Sequence, residues 1–176
     1  MPPRPALLRR AVVAFPAGLP DAVEAFRRTH DPQAAVLPAH VTLVFPFASS
    51  LTGVQVAAHV ARVAAGWPAL PITLRGIDAY AGQWVHARVT RGREAIVELH
   101  ARLYRGALAA FLRREFEYEP HVTLGRATDA AACESMVDAA RGRFAQPIDV
   151  VLRSLSIVAL PADGAAVVER EIGLGG

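Results

Sequence analysis

His40-Val41-Thr42-Leu43 returns half a chain later as His121-Val122-Thr123-Leu124. Each copy is short, β-branched and apolar, the composition of a strand. Side chains on a strand alternate faces, so His and Thr at i and i+2 share one face while Val and Leu take the other. The apolar pair anchors the strand in a core. The polar pair stands about 6–7 Å apart along the strand and offers one proton-transfer group and one hydroxyl donor. Two such strands side by side would make a four-pronged site. A lone His-x-Thr is unremarkable; two copies sharing Val and Leu at the same offsets point to a paired site. The bland alternative is two buried histidines, each satisfied by its threonine.

The flanks carry the likeness further: Val44-Phe45-Pro46-Phe47 follows the first copy, Pro120 precedes the second and Gly125-Arg126 follows it. Here the chain resembles the two-histidine (2H) phosphoesterase superfamily, the group of RNA 2′,3′-cyclic phosphodiesterases also called 2′-5′ RNA ligases. The family motif is His-x-Thr/Ser-x, with apolar residues at x, once in each half. The resemblance implies an α+β fold of two pseudo-symmetric lobes, each an antiparallel sheet with outer helices, closed around a central cleft. It covers nearly the whole chain, residues 1–176 as one two-lobed domain. One continuous mixed sheet is the alternative, and would be expected to separate the histidines.

Opening a cyclic phosphodiester needs a proton taken from water and a proton given to the departing oxygen. Histidine titrates near neutrality, so one imidazole can be neutral while the other is protonated. His40 and His121 are therefore the expected catalytic pair. Thr42 and Thr123 are the expected phosphate-binding pair, their hydroxyls on the non-bridging oxygens. This chemistry requires no cofactor and no metal, and two strand histidines without a carboxylate or cysteine at ligand spacing make a poor metal site. Neither a G-x-S-x-G elbow, a Walker loop nor G-x-G-x-x-G is present. The expected substrate is an RNA end or a cyclic nucleotide, with 2′-5′ ligation as a related activity. A module that binds such an end in the same cleft without turning it over is the competing reading.

Composition sets the frame. The chain has 176 residues, enough for a sizeable core. No segment approaches 18 uninterrupted apolar residues, so no membrane span is expected. Arg9-Arg10 and the apolar run to Phe15 faintly imitate a signal peptide, but Pro16 and Pro20 interrupt it. The lone Cys133 excludes an intrachain disulfide and fits a reducing cytoplasm, and a cytoplasmic monomer is expected. Every basic residue is arginine, which suits phosphate but also follows from a GC-rich genome, so the net charge of +3 supports a nucleic-acid partner only weakly.

Along the chain, strands are expected at Leu7–Phe15, His40–Phe47, Ile72–Tyr80, Gln83–Thr90, Tyr118–Arg126, Ile148–Leu160 and Ala166–Ile172. Helices are expected from Asp21 (as cap) to His30, from Thr52 or Gly53 to Ala65, from Arg93 to Arg114, and from the Asp129 cap to about Arg141. Ala81-Gly82 reads as a hairpin turn, and Pro161 to Gly164 as another. His30 suits a helix C-terminus, His59 a surface or satisfied position, and His100 a structural one. Trp84, His86 and Arg88 share one strand face, either a solvated sheet edge, the favoured reading, or a wall of the cleft.

Overall fold

The computed structural model describes residues 8–175. Its strands are β1 (Arg9–Ala14), β2 (Pro16–Ala17), β3 (Val41–Ala48), β4 (Leu70–Tyr80), β5 (Trp84–Val89), β6 (His121–Arg126), β7 (Ile148–Leu152), β8 (Ser154–Leu160) and β9 (Val167–Gly173). The helices are α1 (Asp21–His30), α2 (Gly53–Ala64), α3 (Arg93–Leu103) and α4 (Ala130–Arg143). Leu7, the expected first residue of the opening strand, lies outside the described residues.

The sheet order is β2-β7-β4-β5-β6-β3-β1-β8-β9, and every recorded pairing is antiparallel. Two lobes share this one ladder: β3, β1, β8 and β9 on one side, and β6, β5, β4 and β7 on the other. They join between the motif strands, where Val41 pairs with Val122 and no second pair continues the ladder. A continuous sheet therefore does not separate the histidines, contrary to the expectation attached to it. The join itself brings them together.

The lobes are not the two halves of the chain. After β3 the chain crosses through α2 into β4 and β5, of which β5 lies beside β6; after β7 it crosses back to β8 and β9, of which β8 lies beside β1. Arg153 makes that crossing between β7 and β8. The run Ile148–Leu160, expected as one strand, is thus two strands in different lobes. Helices are exchanged as well: α1, which follows β1, packs against β6, and α3, which follows β5, packs against β3. The helices cover one face of the sheet. There Val41, Leu43, Val122 and Leu124 join helix residues such as Val23, Val56, Val60, Ile96, Leu99 and Val137 in one continuous buried core.

Local chemistry explains most element ends. Thr52 accepts from Gln55 N while Gln55 caps Thr52 N, a capping box at the start of α2. Asp129 accepts from Ala132 N and starts α4. Asp21 was expected to cap α1, but it is the first helical residue; Pro20 holds the cap position with no side-chain bond. Ala81 and Gly82 both have positive φ, and Gln83 N returns to Tyr80 O at 3.2 Å, a tight turn whose twist suits the β4–β5 hairpin. The helix expected to reach Arg114 ends at Leu103. Gly106 sits at φ +61°, and a short 3₁₀ segment, Gly106–Phe111, follows. Its Leu108 is fully buried, so the apolar stripe runs on past the end of the α-helix.

Candidate active site

The face opposite the helices carries the site. Val41 and Val122 are fully buried, whereas His40, Thr42, His121 and Thr123 are half-buried. Extending the Val41–Val122 register by one residue each way sets His40 across from Thr123 and Thr42 across from His121. All four expected site residues thus lie on one face of the sheet, at the join of the two motif strands.

The two histidines are held alike. His40 Nδ1 lies 2.7 Å from Pro38 O, and His121 Nδ1 lies 2.7 Å from Glu119 O. A carbonyl only accepts, so Nδ1 carries the hydrogen in both rings and Nε2 is the nitrogen left free for a ligand. Burial lowers the pKa of His40; the Pro38 bond opposes this, and the Arg27 guanidinium adds to it. Burial also lowers His121, opposed by the bond to Glu119 O and by the Glu119 carboxylate. That carboxylate is itself held below its ordinary range by Arg93, which hydrogen-bonds both of its oxygens.

The first motif strand is held by side chains from outside the sheet. For β3, His100 Nδ1 donates to Leu43 O at 2.8 Å, Tyr118 Oη donates to Thr42 O at 2.7 Å, and Phe45 N donates to Tyr104 Oη at 2.9 Å. His100 and Tyr118 stack with centroids 3.6 Å apart. Tyr118 was expected inside the second motif strand; it lies before β6, which starts at His121 after Pro120, and serves β3 instead. His59 Nε2 donates to Leu103 O at 2.8 Å, buried and satisfied. His30 packs against Phe26 at the end of α1, the rings tilted by 36°.

The segment leading to His40 is tied down by a buried cation that sequence reasoning missed. Arg27 donates to Asp31 Oδ2 at 2.7 and 3.2 Å, to Leu37 O at 3.2 Å and to Glu24 Oε2 at 3.2 Å. Glu24 also accepts from Ala39 N at 2.5 Å. Two consecutive peptides before His40 are therefore positioned by α1. The signal was present in the sequence as Glu24, Arg27 and Asp31 at helical spacing.

The face shared by Trp84, His86 and Arg88 is a wall of the cleft and not the solvated edge favoured from sequence. β5 lies between β4 and β6, with His86 opposite Thr123 and Arg88 opposite His121. The His86 ring stacks on His121 at 3.7 Å between centroids and 12° between planes, with Tyr80 stacked beyond it at 6.1 Å. Burial, and then the charge of His121, push the His86 pKa down to about 3, so this third imidazole is neutral at ordinary pH. Arg126 lies over Trp84 at 4.9 Å. Among the described residues no group of three or more His, Cys, Asp or Glu is placed to hold a metal ion. No helix among them is long and apolar enough to cross a membrane.

Residues 15–164 match the family model described as the 2′-5′ RNA ligase superfamily. The chain belongs to that superfamily. A phosphoesterase by name from Bacillus pumilus is 31% identical over 125 residues, 68% of this chain and 70% of the relative. One from Geobacillus kaustophilus is 27% identical over 123 residues, 68% and 69% of the two chains. Among solved structures, Escherichia coli LigT in its apo form superposes with a TM-score of 0.65 at 18% identity, covering 96% of this chain and 98% of that one. LigT complexed with 3′-AMP gives 0.61 at 16%, covering 97% and 99%. At such identities these two likenesses are of fold. The superfamily's α+β architecture, antiparallel sheet with helices, is the one described above.

Proposed function

We propose that the cleft hydrolyses a 2′,3′-cyclic phosphodiester at an RNA end or on a nucleotide. One imidazole Nε2 accepts the proton of the attacking water as its oxygen bonds to phosphorus. The other, protonated at Nε2, gives its proton to the ribose oxygen as the P–O bond breaks. The product is a phosphomonoester beside a free hydroxyl. Entering and leaving oxygens lie on opposite sides of phosphorus, which suits two bases facing each other across a narrow site. Thr42 and Thr123 hydrogen-bond the non-bridging oxygens and hold the phosphate between the rings. With a ribose 5′-hydroxyl in place of water, the same exchange of protons would form a 2′-5′ linkage.

The observation that carries this reading is the matched state of the two rings. Both are fixed as Nδ1–H tautomers by a carbonyl two residues back, and both keep Nε2 for a ligand. A binder needs hydrogen-bond donors; it does not need two equivalent titratable nitrogens. Membership of the superfamily and the 3′-AMP complex of a protein with the same fold agree with a nucleotide substrate.

The test is turnover of 2′,3′-cyclic mononucleotides and cyclic-phosphate-ended oligonucleotides in excess EDTA, followed by phosphorus NMR. Ring opening to a single phosphomonoester is expected. Tight binding without turnover at any pH would make the cleft a binding module. Turnover lost in EDTA and restored by zinc or manganese would replace proton relay by metal assistance.

A further inference from the structure

The two walls of the cleft are unlike. Val13 lies opposite Thr42 as His86 lies opposite Thr123. On the first side, Leu37 and Val158 close over Val13 and Ala11 in a small apolar cluster. On the second side the wall stays open and bears Trp84, His86 and Arg88. A ligand seated on the two histidines therefore has room to extend across β5 toward β4.

That direction leads to a cationic hollow. β7 pairs with β4 only from Leu70 to Leu74, so from Arg75 onward the outer edge of β4 has no strand beside it. The β4–β5 register shifts between Leu74 and Ile77, and this irregularity contains Gly76 at φ +86°. A Cβ on Gly76 would come within 2.7 Å of Arg88 Nη2. Glycine here permits the backbone and leaves space for the guanidinium, which lies outward with Nε 2.9 Å from Asp78 Oδ2. From α4, Arg141 Nη2 donates to Ile77 O at 3.3 Å, while its Nη1 lies 3.9 Å from the exposed Asp138. Arg75 stands on the irregular stretch itself. The three guanidinium groups line a hollow of about 410 Å³, with Asp78 the one carboxylate in its wall. Planar guanidinium forks suit phosphate oxygens. β4 lies two strand spacings, about 10 Å, from the strand of His121, and the hollow along its outer edge is within the span of the next phosphates of a sugar–phosphate chain.

We propose that Arg75, Arg88 and Arg141 form a second phosphate subsite, filled by a backbone phosphate of an oligonucleotide whose terminal phosphate lies between His40 and His121. This rests on the phosphodiesterase reading for the seat of the terminal group. It makes an RNA end, rather than a free cyclic nucleotide, the preferred substrate.

The experiment compares wild type with the Arg75→Ala/Arg141→Ala variant, both positions being remote from the histidines. Substrates are a 2′,3′-cyclic mononucleotide and a trinucleotide with the same cyclic end. Equilibrium binding of the trinucleotide bearing a terminal 3′-phosphate is measured alongside. Wild type should prefer the trinucleotide, and the variant should lose about tenfold in its kcat/KM through KM, with the mononucleotide within about twofold of wild type. The slope of log affinity against log salt should shrink by about 0.7, the share of one phosphate on a single strand. Asp78→Asn should tighten trinucleotide binding. Equal trinucleotide binding by wild type and variant would overturn the subsite, as would equal losses on both substrates. If wild type opens neither ring, the activity reading fails by itself, and the binding difference still decides the subsite.

Discussion

Arg27 is the residue whose replacement should be felt most widely. Its side chain is 1% exposed, as is that of Asp31. Arg27→Met keeps much of the volume and removes the charge. Asp31 would keep only its bond from Gln33 N, and the carbonyl of Leu37 would lose both donors. Breaking a buried ion pair by removing one partner costs about 3–5 kcal/mol, because the other charge stays buried and unpaired. A domain of this size loses roughly 2–4 °C of Tm per kcal/mol, so Tm should fall by about 6–20 °C. Asp31→Asn in the Arg27→Met background removes the stranded charge and should recover part of the loss, a coupling of about 0.5–3 kcal/mol. Because Leu37, Pro38 and Ala39 lead into His40, the single variant should also slow turnover. A displacement near 1 Å costs about 10²-fold, with the loss in kcat and KM little changed. Thermal unfolding by circular dichroism and steady-state kinetics below the variant's Tm give both readings. A Tm within 3 °C of wild type together with normal kcat would refute the role assigned to the buried cation.

His40→Ala and His121→Ala should each reduce kcat/KM on a cyclic phosphodiester by about 10²–10⁴-fold, the double variant costing less than the product of the two; full multiplicativity would argue against a paired mechanism. Thr42→Val and Thr123→Val should raise KM and slow turnover with the fold intact, and normal kinetics in both would make the hydroxyls structural. His40, His86, His100 and His121 all have pKa values below 6.5 in the fold, chiefly through burial. The unfolded chain therefore binds more protons than the folded one, and stability should fall as pH drops below about 6.5; His86→Phe should flatten the fall between pH 6.5 and 4, and parallel Tm curves would contradict this. Gly125→Ala should destabilise by about 1–3 kcal/mol, since a Cβ there runs into Met136 Sδ and comes within 3.0 Å of the His30 carbonyl; an unchanged denaturation midpoint would show that α1 can give way.

What could be read from sequence follows a pattern. Local signals placed the motif strands, the Asp129 cap, the start of α2 at Thr52 or Gly53 and the Ala81-Gly82 turn, because each is decided within a few residues. The face shared by His40 and Thr42, and by His121 and Thr123, followed from strand periodicity alone. Choices of partner were harder to see. Nothing local to Ile148–Leu160 says that its first five residues pair with β4 and its last seven with β1. The same ignorance left the face of Trp84, His86 and Arg88 at a supposed edge, since its place depends on β6 lying beside β5. The stripe of α3 ran on through Leu108, so periodicity overrode the break that Gly106 makes. Arg27 was passed over because an arginine is ordinarily a surface residue, and only Glu24 on α1 and Asp31 just after it mark it as buried.

The exchange of strands between the lobes has a consequence for how the chain folds as it is made. β1 lies between β3 and β8, so one of its edges waits for residues 154–160. The free edge of β3 waits for residues 121–126, and α1 waits for the same strand. Neither motif strand is complete on both sides until residues 121–126 have left the ribosome, and β1 waits until residues 154–160 have followed. Pairings so distant in sequence close slowly, and until they do, two apolar strand edges stand open to other chains. A nascent chain arrested before β6 should therefore aggregate, or recruit a holdase, far more readily than the finished protein.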